Sequence, residues 1–365
     1  MIFDFIKGGA DLSFDISIDK EEYIASETVK GKLAIITKKN FKVRDLRLIV
    51  EGSESTNIRA TDRDSMRYTN TNTTDWNNTT TTYTENNVFF SHDLSQFLEP
   101  IINSNIRDMG TEKEIAEGTN QEIPFEFTIP IDVLPSYKGK NASITYIVKA
   151  TADRPKKLDV NKKVLFRVLN PNYNADKTSV YSEKEDMTDD NLTGSGGKGI
   201  NTYNAPGGFQ MSVDFQSFMG KKRNDFTKEG TGARFDLGAT NKFSRGNIIK
   251  GNIILLLDDK AKTTNIKDIS ITLYGIERAV AQGLQRITTV EKYENKIRIG
   301  ANNDSKDVIV NSDNNYTVPF EIQIPYSANT SYIGKYSEYY WGLEAKIDLP
   351  WSSDIYARSI LEVTY

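Results

Sequence analysis

The sequence of 365 residues contains no cysteine and a single histidine, His92. Without cysteine, disulfide bonds, thiolate zinc sites and cysteine nucleophiles are excluded. One histidine cannot form a histidine cluster for zinc, and it would have to supply any imidazole base alone. No nucleophile-elbow motif accompanies it. We therefore expect His92 to be structural or at the surface, and we expect no catalytic residues, no metal, no cofactor and no enzymatic activity.

Long apolar runs and an excess of positive charge are also missing. No segment approaches the ~20 apolar residues that a membrane-spanning helix needs. The start, "MIFDFIKGGADLSF", has no basic region, no long apolar region and no small-residue cleavage site, so we expect no secretory signal and a cytoplasmic protein. The net charge of −4 argues against nucleic acid, because phosphate binding requires an excess of Lys and Arg on one face.

What the sequence does contain is a repeat. "QEIPFEFTIPIDVLPSYKGK", residues 121–140, returns as "NYTVPFEIQIPYSANTSYIGK", residues 315–335. An offset of 195 residues, as between Pro124 and Pro319, aligns the two copies without a gap. An earlier pair, "FDISIDKEEYIASETVKGKLAII" and "FDLGATNKFSRGNIIKGNIILLL", has an offset of about 220. This arrangement indicates a duplicated unit.

Both copies have the pattern of antiparallel β-structure. "SFDISI" and "SITYIVKATAD" alternate apolar and polar residues with period two, and they are rich in β-branched and aromatic residues. The more continuous run "NIILLL" predicts a strand that is buried on both faces. Short strands separated by Gly, Pro, Asn and Asp predict an all-β protein of two tandem antiparallel β-sandwiches.

The division into domains follows from the repeat and from composition. The expected parts are a first sandwich at 1–170 with a Thr/Asn-rich insert at about 53–120, a flexible linker or inter-domain loop at 171–207, and a second sandwich at 208–365.

Two stretches of the insert have their own patterns. The Thr-rich tract at 68–87 suits a protruding hairpin as well as a disordered loop, since Thr favours strands. "LSQFLEPIINSNI" at 94–106 has helical spacing, and Pro100 would break or start a short helix there.

The order of the motifs resembles the N-terminal arrestin domain. It runs through "SETVKGKLAI", a strand that closes on "EG", a variable insert, "GTNQEIPFEFTIP", "LPSYKG" and "ASITYIVKATADRP", and the second half repeats a weaker version through Tyr365. The resemblance implies the arrestin clan, which includes arrestins, α-arrestins, the retromer subunit of similar fold and the bacterial and archaeal sporulation-control-like proteins. These are binding scaffolds without catalytic residues.

The resemblance therefore implies a non-enzymatic adaptor. It would bind protein partners, such as the tails of membrane proteins, through sheet edges, loops or the groove between the sandwiches. Peripheral membrane contact and homo-oligomerisation stay open, and the resemblance assigns no partner-binding residues.

Some family features are absent from the sequence. None of the ten prolines forms a Pro-Pro-x-Tyr motif, so the ubiquitin-ligase recruitment of α-arrestins is not expected. Because the sequence ends at Tyr365 within a predicted strand, we expect no regulatory C-terminal tail. The Asn-, Lys- and Ile-rich composition is typical of a prokaryote or a low-GC eukaryote, and we expect a prokaryotic source.

Three polar segments offer ligand sites that compete with simpler interpretations. "GSGGKG" at 194–199 is similar to a phosphate loop, but Gly199 stands where Ser or Thr should bind magnesium, so we favour a linker. "DDNLTG" at 189–194 and "NNDSKD" at 302–307 could give oxygen ligands to calcium, although polar turns explain them better.

Three further segments could contact partners. The basic run at 219–226 could contact an anionic membrane, but a solvated turn is the better interpretation. The aromatic run at 336–341 fits a sandwich core better than a binding site. "MIFDFI", residues 1–6, could add as an edge strand to a partner, to its own sheet or to a second copy.

Two other functions compete with the adaptor. A secreted or surface-exposed adhesion protein would explain the Thr/Asn-rich insert and the glycosylation triplets at Asn78, Asn141 and Asn329. A calcium-dependent membrane-binding module would lose thermal stability and liposome binding when calcium is chelated.

Overall fold

The computed structural model describes most of the chain. The described residues are 11–61, 80–99, 106–108, 112–173, 203–204, 210–211, 232–238, 240–256, 268–298, 309–310, 315–348 and 355–365. They contain 24 β-strands and one short 3₁₀ helix at Ser95–Leu98. The predicted all-β fold class is confirmed.

The chain divides into two compact units. The first unit comprises Met1–Ser55, Asn86–Lys138 and Ser143–Tyr173. The second unit comprises Thr56–Glu85, Gly139–Ala142 and Asn174–Tyr365. The predicted domain boundaries and linker stay a prediction.

Twelve strands lie in the first half of the chain. They are β1 (Leu12–Ile18), β2 (Glu22–Ile24), β3 (Thr28–Thr37), β4 (Phe41–Val43), β5 (Asp45–Thr61), β6 (Thr80–Asp93), β7 (Ile106–Asp108), β8 (Lys113–Ile115), β9 (Asn120–Thr128), β10 (Tyr137–Lys138), β11 (Ala142–Asp153) and β12 (Val160–Leu169).

These strands form three sheets. One has three antiparallel strands in the order β1-β3-β9, and a second has the order β2-β12-β11-β5-β6 with β10 paired to β11. A small sheet has the order β4-β8-β7. The rings of Phe127 in β9 and Phe166 in β12 lie 6.1 Å apart, so the two large sheets face each other across an aromatic core.

Twelve strands also follow in the second half. They are β13 (Tyr203–Asn204), β14 (Gln210–Met211), β15 (Gly232–Asp236), β16 (Lys242–Ser244), β17 (Ile248–Leu256), β18 (Asp268–Ala281), β19 (Leu284–Arg298), β20 (Ile309–Val310), β21 (Asn315–Gln323), β22 (Tyr332–Ile333), β23 (Ser337–Asp348) and β24 (Ile355–Thr364).

Their sheets repeat the earlier arrangement. One sheet has the order β15-β17-β21-β20, and the other has the order β16-β24-β23-β18-β19 with β22 paired to β23. β2 pairs with β12 in parallel, and β16 pairs with β24 in parallel at the equivalent place. The predicted pair of antiparallel β-sandwiches from an internal duplication is confirmed.

The duplication is also visible in single hydrogen bonds. The Ser136 hydroxyl accepts a hydrogen bond from the Val168 N–H at 2.8 Å, and the Ser331 hydroxyl accepts one from the Val363 N–H at 3.0 Å. Both pairs obey the offset of 195. Each serine therefore ties the start of a short strand to the last strand of its own unit.

The two most conspicuous repeated motifs are cross-strand partners. Gly31 of the first Lys-Gly motif lies opposite Phe125 of the first Pro-Phe motif, and Gly251 lies opposite Phe320. A Cβ atom on Gly31 would overlap the Phe125 ring. The glycine is required because the neighbouring phenylalanine occupies the space of its side chain.

One strand prediction was wrong in detail. "NIILLL" was expected to be buried on both faces, but β17 alternates: Ile253 and Leu255 are fully buried, Ile254 is half-buried, and the neighbouring Ile248 is 48% exposed. One face of its sheet packs on the core and the other does not, so apolar composition alone overstates the burial.

The insert contains the end of β5 and all of β6. Residues 80–87 of the Thr-rich tract belong to β6, which lies beside β5 in one sheet. This part of the tract is therefore a strand and not a disordered loop. Residues 62–79 are outside the described part. The short helix is observed at Ser95–Leu98 and ends before Pro100.

A backbone position in the repeat gives a stability prediction. Ser26 and Gly246 are equivalent, and both have a positive φ, of 74° and 80°. An L-residue in this region costs about 1–2 kcal/mol. Gly246→Ala should therefore lower the midpoint of urea unfolding. Ser26→Gly relieves the same strain, but glycine also raises the entropy of the unfolded chain, which offsets part of the gain. The midpoint of urea unfolding of this variant should therefore rise only slightly.

The matched control is Gly238→Ala. Gly238 also has a positive φ of 75°, but no atom lies within 4 Å of its added Cβ, whereas a Cβ on Gly246 would overlap the exposed Tyr326 ring. The control measures backbone strain alone. Unchanged midpoints in both alanine variants would contradict the strain argument.

Candidate partner-binding surface

The candidates for metal or catalytic chemistry do not assemble into a site. His92 lies exposed near the end of β6, beside Asp93. The pKa of Asp93 is lowered chiefly by hydrogen bonds from Ser95, which is a local turn contact. Among the residues that the structure describes, no three His, Cys, Asp or Glu side chains are grouped to hold a metal ion.

Several sequence candidates lie outside the described residues. They are the segments 1–6, 189–194, 194–199, 219–226 and 302–307. Their interpretations stay predictions. Within the described part of the chain, no helix is long and apolar enough to cross a membrane.

The aromatic run at 336–341 belongs to the core of the second unit, as predicted. Tyr339, Tyr340 and Trp341 of β23 are each exposed by at most 1%. The Trp341 indole N–H donates to the Asn329 carbonyl at 2.9 Å, and the Tyr339 hydroxyl donates to Glu291 at 2.7 Å. Burial raises the pKa of Tyr339. These side chains are therefore structural.

The first unit has a depression of about 590 Å³ at its three-stranded sheet. Strands β1, β3 and β9 and the 3₁₀ helix supply its lining. The lining residues are Ser17, Ile18, Asp19, Lys30, Gly31, Lys32, Phe97, Pro124, Phe125 and Glu126.

The register of the sheet explains how these residues meet. Lys32 lies opposite Ser17 on one side and opposite Pro124 on the other, and these three side chains point away from the core. Phe97 reaches the depression from the 3₁₀ helix. The lining therefore combines apolar carbon with charged and hydroxyl groups.

The charges around the depression are balanced. Lys30 and Lys32 are opposed by Asp19 and Glu126. A phosphate or nucleic-acid site would need an excess of basic groups, and a cation site would need an excess of acidic ones. Balanced charge beside apolar carbon is suited to a polypeptide segment, which carries both kinds of group.

A hydrogen-bond network fixes one rim of the depression. The Asp19 carboxylate accepts hydrogen bonds from the Tyr23 hydroxyl at 2.6 Å and from the Lys30 N–H at 3.1 Å. The Tyr23 hydroxyl also accepts from the Lys20 N–H. The hydrogen bond from Tyr23 holds the pKa of Asp19 below its usual value, and burial raises the pKa of Tyr23.

Within the described residues, β1 and β9 are the edge strands of this sheet. β9 contains Pro124, which has no N–H to donate and so makes that edge a poor template for a further strand. β1 has seven residues and no proline. One ion pair borders its edge, since Lys162 lies 3.9 Å from Asp15. Exposed pairs of this kind contribute little stability, so β1 is the better template.

The depression was not predicted from the sequence. Phe97 lies within the insert, and the helical spacing at 94–106 did not indicate which surface its side chain would reach. Gly31 and Phe125 did have a sequence signal, because the Lys-Gly and Pro-Phe motifs that contain them both occur twice. A repeated glycine together with a repeated aromatic residue predicts a close contact between them.

The Asp19 network gives a pH prediction. Tyr23→Phe removes the hydroxyl but keeps the ring that packs edge-on against Phe166, so the pKa of Asp19 should rise toward its ordinary value. A lowered folded-state pKa stabilises the protein above the unfolded pKa of about 4 and loses that effect as pH falls through the folded value. NMR titration of the Asp19 carboxyl carbon measures the shift.

The control for this substitution is Tyr146→Phe. Its hydroxyl donates to the Leu134 carbonyl, not to a carboxylate. Its loss of stability should therefore be the same at neutral and acid pH. An Asp19 pKa that is equal in wild type and Tyr23→Phe would refute the assignment.

Comparison with known proteins bears on the first half of the chain. Residues 12–175 match the family model "Arrestin (or S-antigen), N-terminal domain". These residues begin at β1 and end just after β12, so they include all three sheets of the first half. Comparison with curated protein sequences found no match.

Solved structures also show similarity. One is the crystal structure of Spo0M, a sporulation control protein from Bacillus subtilis, at 16% identity and a TM-score of 0.28. The alignment covers 44% of this chain and 51% of that chain, about half of each. The similarity to arrestins rests instead on the family match over residues 12–175 and on the duplicated β-sandwich architecture.

The arrestin family generally consists of non-enzymatic proteins that bind protein partners. The match over 12–175 covers β1 through β12 and both the Lys-Gly and the Pro-Phe motif of the first half. Residues 12–175 are therefore arrestin-like and have the features of the arrestin N-terminal domain.

Proposed function

We propose that this protein is a non-enzymatic cytoplasmic adaptor that binds an extended segment of a partner protein at β1 and the adjoining depression. The observation that carries the proposal is the arrestin N-terminal domain match over residues 12–175. The partner would be the tail of a membrane protein or another cytoplasmic protein. Binding through loops or between the two sandwiches stays a prediction from the family.

The chemistry of the first unit supports this mode of binding. An added strand gains main-chain hydrogen bonds from the edge, and alternate side chains of the segment point to the same face. One apolar side chain can then enter the depression and contact Phe97 and Pro124. The charged groups of Lys32, Lys30 and Asp19 are placed to pair with flanking polar residues of the segment.

Site-specific photo-crosslinking in cells that naturally express the protein tests the proposal. A benzophenone amino acid replaces the exposed Ser17, which faces the depression, or the exposed Lys157, which lies in a turn elsewhere on the first unit. We expect discrete protein adducts at position 17 and none of the same mass at position 157. Mass spectrometry then names the partner.

A second substitution separates binding from folding. Phe97→Ala removes an apolar wall of the depression and should reduce the adduct yield at position 17 at least about five-fold, since burial of an aromatic ring contributes more than 1 kcal/mol. Phe243→Ala removes a half-buried ring from β16 of the second unit and should leave the yield unchanged. Equal adducts at both positions, or no effect of Phe97→Ala, would overturn the proposal.

A further inference from the structure

The outer face of β11 and β12 in the first unit carries two lysines directly opposite each other. Lys149 of β11 pairs in register with Lys163 of β12, and the next outward pair is Ile147 with Leu165. The intervening Val148 points into the core and is fully buried. We call the four outward residues Ile147, Lys149, Lys163 and Leu165 the basic-apolar face.

Like charges that face each other across a sheet are unfavourable. Lys149 is half-buried and Lys163 is exposed, so Lys149 in particular is shielded from some of the water that would solvate it. Among the ion pairs of the described residues, none includes either lysine. The neighbouring ion pairs of β12, Lys162 with Asp15 at 3.9 Å and Arg167 with Glu22 at 3.3 Å, engage different residues.

The duplication supplies an internal comparison for this position. With the offset of 195, Lys149 corresponds to Glu344 and Lys163 corresponds to Arg358. Glu344 and Arg358 are also directly opposite, and their side chains form an ion pair of 2.9 Å. The same place in the same architecture therefore accepts a complementary pair, and the first unit has two positive charges instead.

Apolar surface adjoins these charges. Leu165 is 57% exposed on the same face as Lys163. Ile147 lies opposite it and is half-buried. A ligand for this face would supply both negative charge and apolar carbon.

We propose that the basic-apolar face binds an acidic polypeptide segment. Carboxylates of the segment pair with the ammonium groups of Lys149 and Lys163, and an apolar side chain of the segment covers Leu165 and Ile147. The proposal concerns a surface separate from β1 and the depression, and it does not depend on binding there.

The neighbouring strand favours a peptide over a lipid surface. The Ser53 and Thr145 hydroxyls lie 3.1 Å apart, which places outward residues of β5 beside those of β11. Glu51, two residues before Ser53, is half-buried on this same side. A uniformly anionic bilayer would meet the Glu51 carboxylate, whereas a peptide can place its carboxylates over the lysines alone.

Fluorescence anisotropy of a labelled peptide tests the proposal on the full chain. The probe is a short peptide that alternates glutamate and leucine, and its counterpart has glutamine in place of glutamate. We expect saturable binding of the glutamate peptide, weakened by salt, and at least ten-fold weaker binding of the glutamine peptide. Equal affinity for the two peptides would overturn the proposal.

The decisive variant is Lys149→Glu. It places a glutamate opposite Lys163, as Glu344 lies opposite Arg358 in the second unit, so the urea midpoint should stay equal or rise. The affinity for the glutamate peptide should fall at least about ten-fold, because one positive charge becomes negative. Lys39→Glu makes the same charge change at an exposed turn and should have less than a two-fold effect. A loss of affinity no greater than that of Lys39→Glu would overturn the proposal.

Vesicles of phosphatidylserine and phosphatidylcholine provide the alternative arm. Vesicle binding that requires Lys149, without binding of the glutamate peptide, would show that a lipid surface is the ligand and would overturn the proposal. Phe97→Ala should leave peptide binding at this face unchanged. The proposals for the two binding surfaces can therefore be tested independently of each other.

Discussion

The contact between a glycine and the phenylalanine on the next strand determines much of each unit. Gly31 and Gly251 have no side chain, so the rings of Phe125 and Phe320 lie over their backbones. That contact fixes the register of the sheet at one point. Because a shift of one residue would turn every side chain to the opposite face, the single contact also fixes which residues enter the core and which line the depression.

The sequence predicted the strands and the duplication because both follow from local spacing. Period-two alternation assigns the faces of β1 and β11, and the offset of 195 aligns Ser136 with Ser331 by counting residues alone. The depression could not be predicted, because Phe97 reaches it from a 3₁₀ helix whose position depends on tertiary packing. The opposed Lys149 and Lys163 were not evident either, since it is the register between β11 and β12 that makes them neighbours.

The two units show how the same framework can hold different chemistry. At one outward position the second unit has Glu344 paired with Arg358, and the first unit has two lysines. In the β16–β17 turn Gly246 adopts a positive φ without strain, and in the equivalent β2–β3 turn Ser26 adopts it with a side chain. The hydrogen-bonded serines vary less: Ser136 and Ser331 make the same bonds. The outward face of the β11–β12 pair therefore differs between the units: the second has a largely buried ion pair there, and the first has two lysines.

The shared motifs also have a consequence for how the chain reaches its native state. Lys30 lies opposite Glu126, and Lys250 lies opposite Glu321, so β3 has nearly the same complementarity for β21 as for β9. A newly made chain avoids this competition because synthesis proceeds from the N-terminus and domains fold as they emerge. β9 is available to β3 long before β21 exists. Refolding from denaturant removes that temporal order, and strand exchange between the two copies becomes the natural misfolding route.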